Sequence, residues 1–151
     1  MLALIATIAL SLGVDARLVQ EVALAENPSL DPEAVGTTGD LGIMQINAQY
    51  LDYFLSLYWK SDWPPFDWKN PRDNVYLGVC VLKDLIENPY INTWQALIAY
   101  NCGLARLKSG NVPPASIEYA TRIFINWTES GGEILKDDDP KQLLLFENNH
   151  Q

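Results

Sequence analysis

Apolar positions along the chain recur at three- and four-residue spacing and rarely alternate, which predicts helices and little strand. Residues 2–12 are almost wholly apolar and read as a first helix, with Gly13 able to end it in the left-handed conformation. Asp15 is then placed to cap a second helix, with Val14 in the staple position before it. On that helix Leu18, Val19, Val22, Ala23 and Glu26 form one stripe facing the core. Pro28 prevents much continuation, so Glu26 falls in the last turn.

A glutamate there is poorly accommodated as an anion. Partial burial and the negative end of the helix dipole both disfavour its charge, which is what a general acid near neutral pH requires. A solvated helix-end glutamate is the competing reading. A turn-rich segment follows, with Asp31-Pro32 and Gly36-Thr37-Thr38-Gly39. Gly39 and Gly42 allow the backbone to approach a ligand or another helix closely. Residues 41–53 are expected to begin a further helix.

Beyond it lies an aromatic loop of Tyr58, Trp59, Trp63, Phe66 and Trp68 around Pro64-Pro65. Its rings suit either stacking on sugar faces or covering a core. Asn70 with Pro71 opens a helix whose stripe is Val75, Val79, Leu82 and Ile86. Asn92 or Thr93 caps the next, which carries Ala96, Leu97 and Tyr100 and ends at Gly103. Pro113-Pro114 precedes a last clear helix with Ile117, Ala120, Phe124 and Trp127 on one side. The pattern predicts an all-α single domain over residues 1–130. Residues 131–151 are left as a tail or extension, in which residues 143–146 are apolar enough to dock back.

Composition narrows the function. With 48% hydrophobic and 19% charged residues, the chain has the balance of a globular domain. A formal net charge of −9 excludes a phosphate-binding face, so no nucleic acid partner is expected, and anionic membranes are disfavoured. The single histidine, His150, is next to last, and Cys80 and Cys102 are far apart, so no metal or other cofactor is expected. Both cysteines sit in apolar helical surroundings and read as buried free thiols, with a disulfide as the alternative. The apolar N-terminal run lacks a basic n-region and an obvious cleavage site, and it is too short to span a bilayer. It reads as a buried first helix, and an export route is not visible in it.

Four blocks in order then carry a resemblance. They are Glu26 at a helix end, Asp31-Pro32-Glu33-Ala34-Val35-Gly36, Gly39-Asp40-Leu41-Gly42-Ile43-Met44-Gln45, and Ala99-Tyr100-Asn101-Cys102-Gly103, with Tyr119 following. Over roughly residues 4–127 this resembles the lysozyme-like domain of the soluble lytic transglycosylases. The resemblance implies an all-α fold with a substrate cleft and peptidoglycan glycan strands as substrate. It also implies cleavage of the β-1,4 bond between N-acetylmuramic acid and N-acetylglucosamine, with Glu26 as single acid and base and a 1,6-anhydro product. Met44 and Gln45 would line the cleft, Tyr100 and Asn101 would support the acid and the sugar, and Tyr119 would hydrogen-bond near Glu26. A monomer acting in the cell envelope, periplasm or outside the cell is implied. The acidic charge would slow encounter with an anionic wall, which a tether, or carriage by a phage or secretion apparatus, would offset.

The chain departs from the family pattern at several points. One extra residue separates Glu26 from Asp31-Pro32. Gly36 stands where the family has serine, Cys102 where it has alanine, and Ala115 where an acidic residue is frequent. These changes bear on substrate affinity more than on the chemistry. Two rivals remain: a hydrolytic muramidase of the same fold, with Asp40 or Asp31 as second carboxylate, and a non-catalytic peptidoglycan-binding module.

Overall fold

In a computed structural model residues 1–133 are described. Seven α-helices carry them: α1 Leu2–Ser11, α2 Ala16–Glu26, α3 Leu51–Tyr58, α4 Pro71–Ile86, α5 Thr93–Cys102, α6 Leu104–Ser109 and α7 Pro114–Glu129. The only strands among the described residues are β1 Asp40–Leu41 and β2 Ile46–Asn47, paired antiparallel with Asp40 opposite Asn47 and Leu41 opposite Ile46. The fold is all-α and lysozyme-like. The chain divides into two compact units, Met1–Asp84 and a second that starts at Leu85.

In the first unit, α1 buries Ile5, Ile8 and Ala9, so the apolar N-terminal run forms part of the folded unit. Gly13 takes φ +73°, and the Val14 N–H donates back to the Ala9 carbonyl, which closes the α1 end. Asp15 Oδ1 accepts from the Arg17 and Leu18 N–H groups at 2.8 and 3.0 Å, capping α2 as its sequence position predicts. Leu18, Val19, Val22 and Ala23 make the buried stripe of α2. On α4 the Asn70 side chain accepts from Arg72 N–H at 2.9 Å, and Val75, Leu77, Gly78, Val79 and Leu82 are buried.

Residues 41–53 do not begin a continuous helix. The Gly42–Gln45 stretch is a turn between β1 and β2, a short 3-10 helix spans Ala48–Tyr50, and α3 starts only at Leu51. The left-handed Gly42, at φ +73°, and Gln45, at φ +48°, reverse the chain where a helix would run straight.

The aromatic loop packs against itself. Trp59 meets Trp63, Phe66 and Tyr76 edge-on at ring separations of 5.0, 5.2 and 6.0 Å, and the Trp59 indole donates to the Pro64 carbonyl. Edge-to-face contacts of this kind are the packing mode of aromatic clusters. Lys60 lies over the Trp63 ring.

In the second unit, α5 opens with a reciprocal capping box. Asn92 Oδ1 accepts from Gln95 N–H, and Gln95 Oε1 accepts from Asn92 N–H. Trp94, Ala96, Leu97, Ile98 and Ala99 are buried, so α5 is covered on nearly all sides. The Trp94 indole donates to Thr121 Oγ1 on α7 at 3.1 Å. Gly103, at φ +93°, ends α5 as predicted but also starts α6, which periodicity over so few residues does not announce. Pro114 sits at the first position of α7, whose buried side is Ser116, Tyr119, Ala120, Ile123, Phe124 and Trp127.

Both cysteines are free. Cys80 is buried and Cys102 half-buried. Burial pushes the Cys80 thiol above the ordinary cysteine range. His150 and residues 143–146 lie outside the described residues.

Candidate active site

The first unit brings three of the expected site residues onto one framework. Glu26 occupies the last turn of α2, half-buried. Asn27 follows as the C-cap, only 4% exposed. Its amide nitrogen donates to the carbonyls of Asp31 at 2.7 Å and Gly42 at 3.3 Å. Its oxygen accepts from Ser29 Oγ at 2.9 Å and from the Asp31 N–H at 3.3 Å. All polar capacity of a buried amide is thereby used.

Gly42 begins the turn that carries Met44 and Gln45. Its carbonyl receives a second amide, that of Gln45 Nε2, at 2.8 Å. Gln45 holds a left-handed backbone at φ +48°, which costs a non-glycine residue ~1–2 kcal/mol. The side chain's own bond to Gly42 offsets part of that cost. Conformations of this kind persist where surrounding contacts over-determine them, and they collect at functional sites.

Gln45 also explains Gly36. A Cβ at Gly36 would fall 2.6 Å from Gln45 Oε1 and 3.5 Å from Asp40 Oδ2. The glycine that stands where the family has serine therefore leaves the space into which the Gln45 amide fits. The Asp40 carboxylate borders the same hollow and accepts from the Thr38 hydroxyl. Asp31 is engaged differently. Its carboxylate accepts from the Glu33 N–H at 2.9 Å and closes a local turn.

The turn is held from below by α4. Asn74, fully buried, accepts from the Met44 N–H at 2.9 Å and donates to the Leu41 carbonyl at 2.9 Å. Gly42 lies against the same amide, for a Cβ there would sit 2.4 Å from Asn74 Nδ2. One turn further along α4, a Cβ at Gly78 would sit 2.5 Å from Met44 Cβ. Met44 is fully buried and packs against α4 at Gly78. Losing Asn74 would remove both hydrogen bonds, each worth about 0.5–1.5 kcal/mol.

Asn27 and Asn74 received no role from sequence. For Asn74 the available signal was a polar residue four before Gly78 and beside the Val75–Val79 stripe. A polar and a tiny residue at i and i+4 on a core-facing strip mark a close approach by another backbone.

The second unit carries Tyr100, Asn101 and Tyr119. Tyr100 and Asn101 lie in the last turn of α5, and Tyr119 is buried on α7. Ser116, only 2% exposed, donates its hydroxyl to Asn101 Oδ1 at 2.7 Å. The acceptor end of the exposed Asn101 amide is thus engaged. Ala115, read as the missing acid, stands beside this serine in the first turn of α7. Among the described residues no group of three or more His, Cys, Asp or Glu side chains is placed to hold a metal ion. None of their helices is long and apolar enough to cross a membrane.

The transglycosylase SLT domain family matches residues 3–113 of the chain. Among solved structures, the chain is similar to an inactive mutant of the lytic transglycosylase Slt from Pseudomonas aeruginosa, with a TM-score of 0.73 at 13% identity. That similarity covers 90% of this chain and 26% of the other, so the chain spans about a quarter of the length of that enzyme. Among curated proteins, no sequence matches. With the matched region spanning most of its length, the chain belongs to the transglycosylase SLT domain family.

Proposed function

We propose that the chain is a peptidoglycan lytic transglycosylase that cleaves the β-1,4 bond between N-acetylmuramic acid and N-acetylglucosamine. The observation that supports this most is the linkage of the α2 end, which bears Glu26, to the Met44–Gln45 turn through the shared Gly42 carbonyl. A single acid, half-buried at a helix end and followed by a side chain dedicated to fixing that end, suits one group serving in two successive proton transfers.

Protonated Glu26 gives its proton to the glycosidic oxygen as the bond to C1 of the muramic acid breaks. The resulting carboxylate takes the proton of the C6 hydroxyl of the same sugar, whose oxygen closes on C1. The product carries a 1,6-anhydro ring, and Glu26 is returned protonated. No water enters, so no second carboxylate is required, unlike in two-carboxylate glycosidases. Gln45 offers its amide to the sugar beside the acid. By the family resemblance, Tyr100, Asn101 and Tyr119 of the second unit are included among the substrate-binding residues. With its oxygen engaged by Ser116, Asn101 has its NH2 group to offer a sugar oxygen. The place of action is the cell envelope, periplasm or exterior, where peptidoglycan lies. A monomer suffices for this chemistry, and carriage by a phage or secretion apparatus would offset the acidic charge.

One observation favours hydrolysis as a second reading. The Asp40 carboxylate lies near the Gln45 amide at Gly36, which puts a second acidic side chain beside that turn. Digestion of purified peptidoglycan separates the two by their products. Anhydro ends support the transglycosylase, reducing ends the muramidase, and absence of release a binding module.

A further inference from the structure

Asn27 closes the last turn of α2 through its backbone, with its N–H donating to the Ala23 carbonyl at 2.9 Å. Its side chain then reaches two separate stretches, the Ser29–Asp31 loop and the Gly42 carbonyl. Few side chains do this. A carboxylate would set oxygen against two carbonyls, a serine hydroxyl has one proton and a shorter reach, and an aliphatic side chain would leave the loop groups unpaired.

Helix ends fray because their last carbonyls lack partners. At this end the freedom is removed by an amide that shares its acceptor with Gln45. We propose that Asn27 is a positioning residue, which holds the Glu26 helix end in one register against the Met44–Gln45 turn. The inference rests on the reading of Glu26 as the acid. It adds that the alignment of that acid depends on the neighbouring amide rather than on the helix alone. Alignment of a catalytic group is costly to lose, since a displacement of ~1 Å can lower a rate by about 10²-fold.

The test compares Asn27→Ser with wild type and with Ile8→Val, a core change in α1 that serves as a stability control. Two quantities are read in the full chain at a temperature where all three are folded. They are kcat and KM on peptidoglycan, and the carboxyl carbon resonance of Glu26 followed through pH by NMR. Asn27→Ser is expected to lower kcat by about 10²-fold with KM little changed and to displace the Glu26 titration curve, while Ile8→Val leaves both as in wild type. Wild-type kcat with an unmoved Glu26 curve in Asn27→Ser overturns the inference. So does an equal loss in Ile8→Val, which would mark a merely structural role. If the wild type cleaves no peptidoglycan, the functional reading fails on its own. The Glu26 curve then decides, a displaced curve supporting the positioning role and an unmoved one overturning it. Should Asn27→Ser not fold, Ser29→Ala removes one of the two donors to Asn27 Oδ1 and is expected to lower kcat several-fold; no change in kcat or in the curve overturns the inference.

Discussion

Asn27 and Gln45 donate to the same oxygen, the Gly42 carbonyl, at 3.3 and 2.8 Å. Asn27 follows Glu26 directly in sequence, and Gln45 closes the Gly42–Gln45 turn. Their common acceptor makes a backbone carbonyl the hinge-pin between helix α2 and the Gly-rich turn. The turn is fixed independently from α4, because Asn74 pairs with both Leu41 and Met44. Two buried amides from different elements thus define a stretch too short for secondary structure to hold by itself.

Gly36→Ser should separate activity from stability. The added Cβ meets the far end of Gln45, a flexible side chain, so the fold can yield by moving that amide. Unfolding by denaturant should change by less than about 1 kcal/mol, in the range of surface substitutions. Activity on peptidoglycan should fall by about tenfold or more, the equivalent of one lost hydrogen bond in the transition state. Unchanged activity would mean that the placement of Gln45 in the hollow has no part in turnover.

Gly78→Ala sets two effects against each other. Alanine in a helix interior gains about 1 kcal/mol over glycine. The new methyl would meet Met44 at 2.5 Å from Cβ and 2.7 Å from Cγ, close to the backbone and within a full core. Overpacking of this kind costs about 1–3 kcal/mol. The clash is expected to win, with a net loss of stability in chemical denaturation and a displaced Met44–Gln45 turn. A variant more stable than wild type would contradict the tight contact between α4 and the turn.

Alkaline pH should weaken the first unit through Tyr58. Burial, and then the hydrogen bond and negative charge of Asp84, hold the Tyr58 phenol well above the ordinary tyrosine value of 10.0. The folded state therefore keeps its proton more tightly than the unfolded chain does. The associated stability is full below pH 10.0 and is lost as pH rises from there through the folded titration. Thermal unfolding measured across that range should fall less steeply in Tyr58→Phe than in wild type. Equal slopes would show that the phenol proton is not linked to folding.

Much of the helical framework was legible because its signals are local. Asp15, Asn70, Asn92 and Pro114 cap or start helices where a side chain acts on the next few backbone groups. Gly13 and Gly103 mark helix ends for the same reason. The β1–β2 turn was not legible, because two-residue strands carry no alternation and the residues around Met44 look like a helix start. Asn74 escaped because its partners lie about thirty positions away, at Leu41 and Met44. The aromatic loop left stacking and packing open, and only the edge-on geometry of Trp59, Trp63 and Phe66 favours packing. Glu26 was legible as a helix-end carboxylate. The amide beside it, and the hollow at Gly36, depend on long-range contacts.

The most direct test of the central claim is the product analysis of peptidoglycan digested by wild type and by Glu26→Gln. The glutamine keeps size and polarity but has no proton to give and no carboxylate to receive one. Mass spectrometry of the wild-type digest should show muropeptides ending in 1,6-anhydro-N-acetylmuramic acid. Their rate of release should fall by about 10²–10⁴-fold in Glu26→Gln, the span expected for removing a general acid and base. Reducing ends in the wild-type digest, or anhydro ends released at an unchanged rate by Glu26→Gln, would contradict the account.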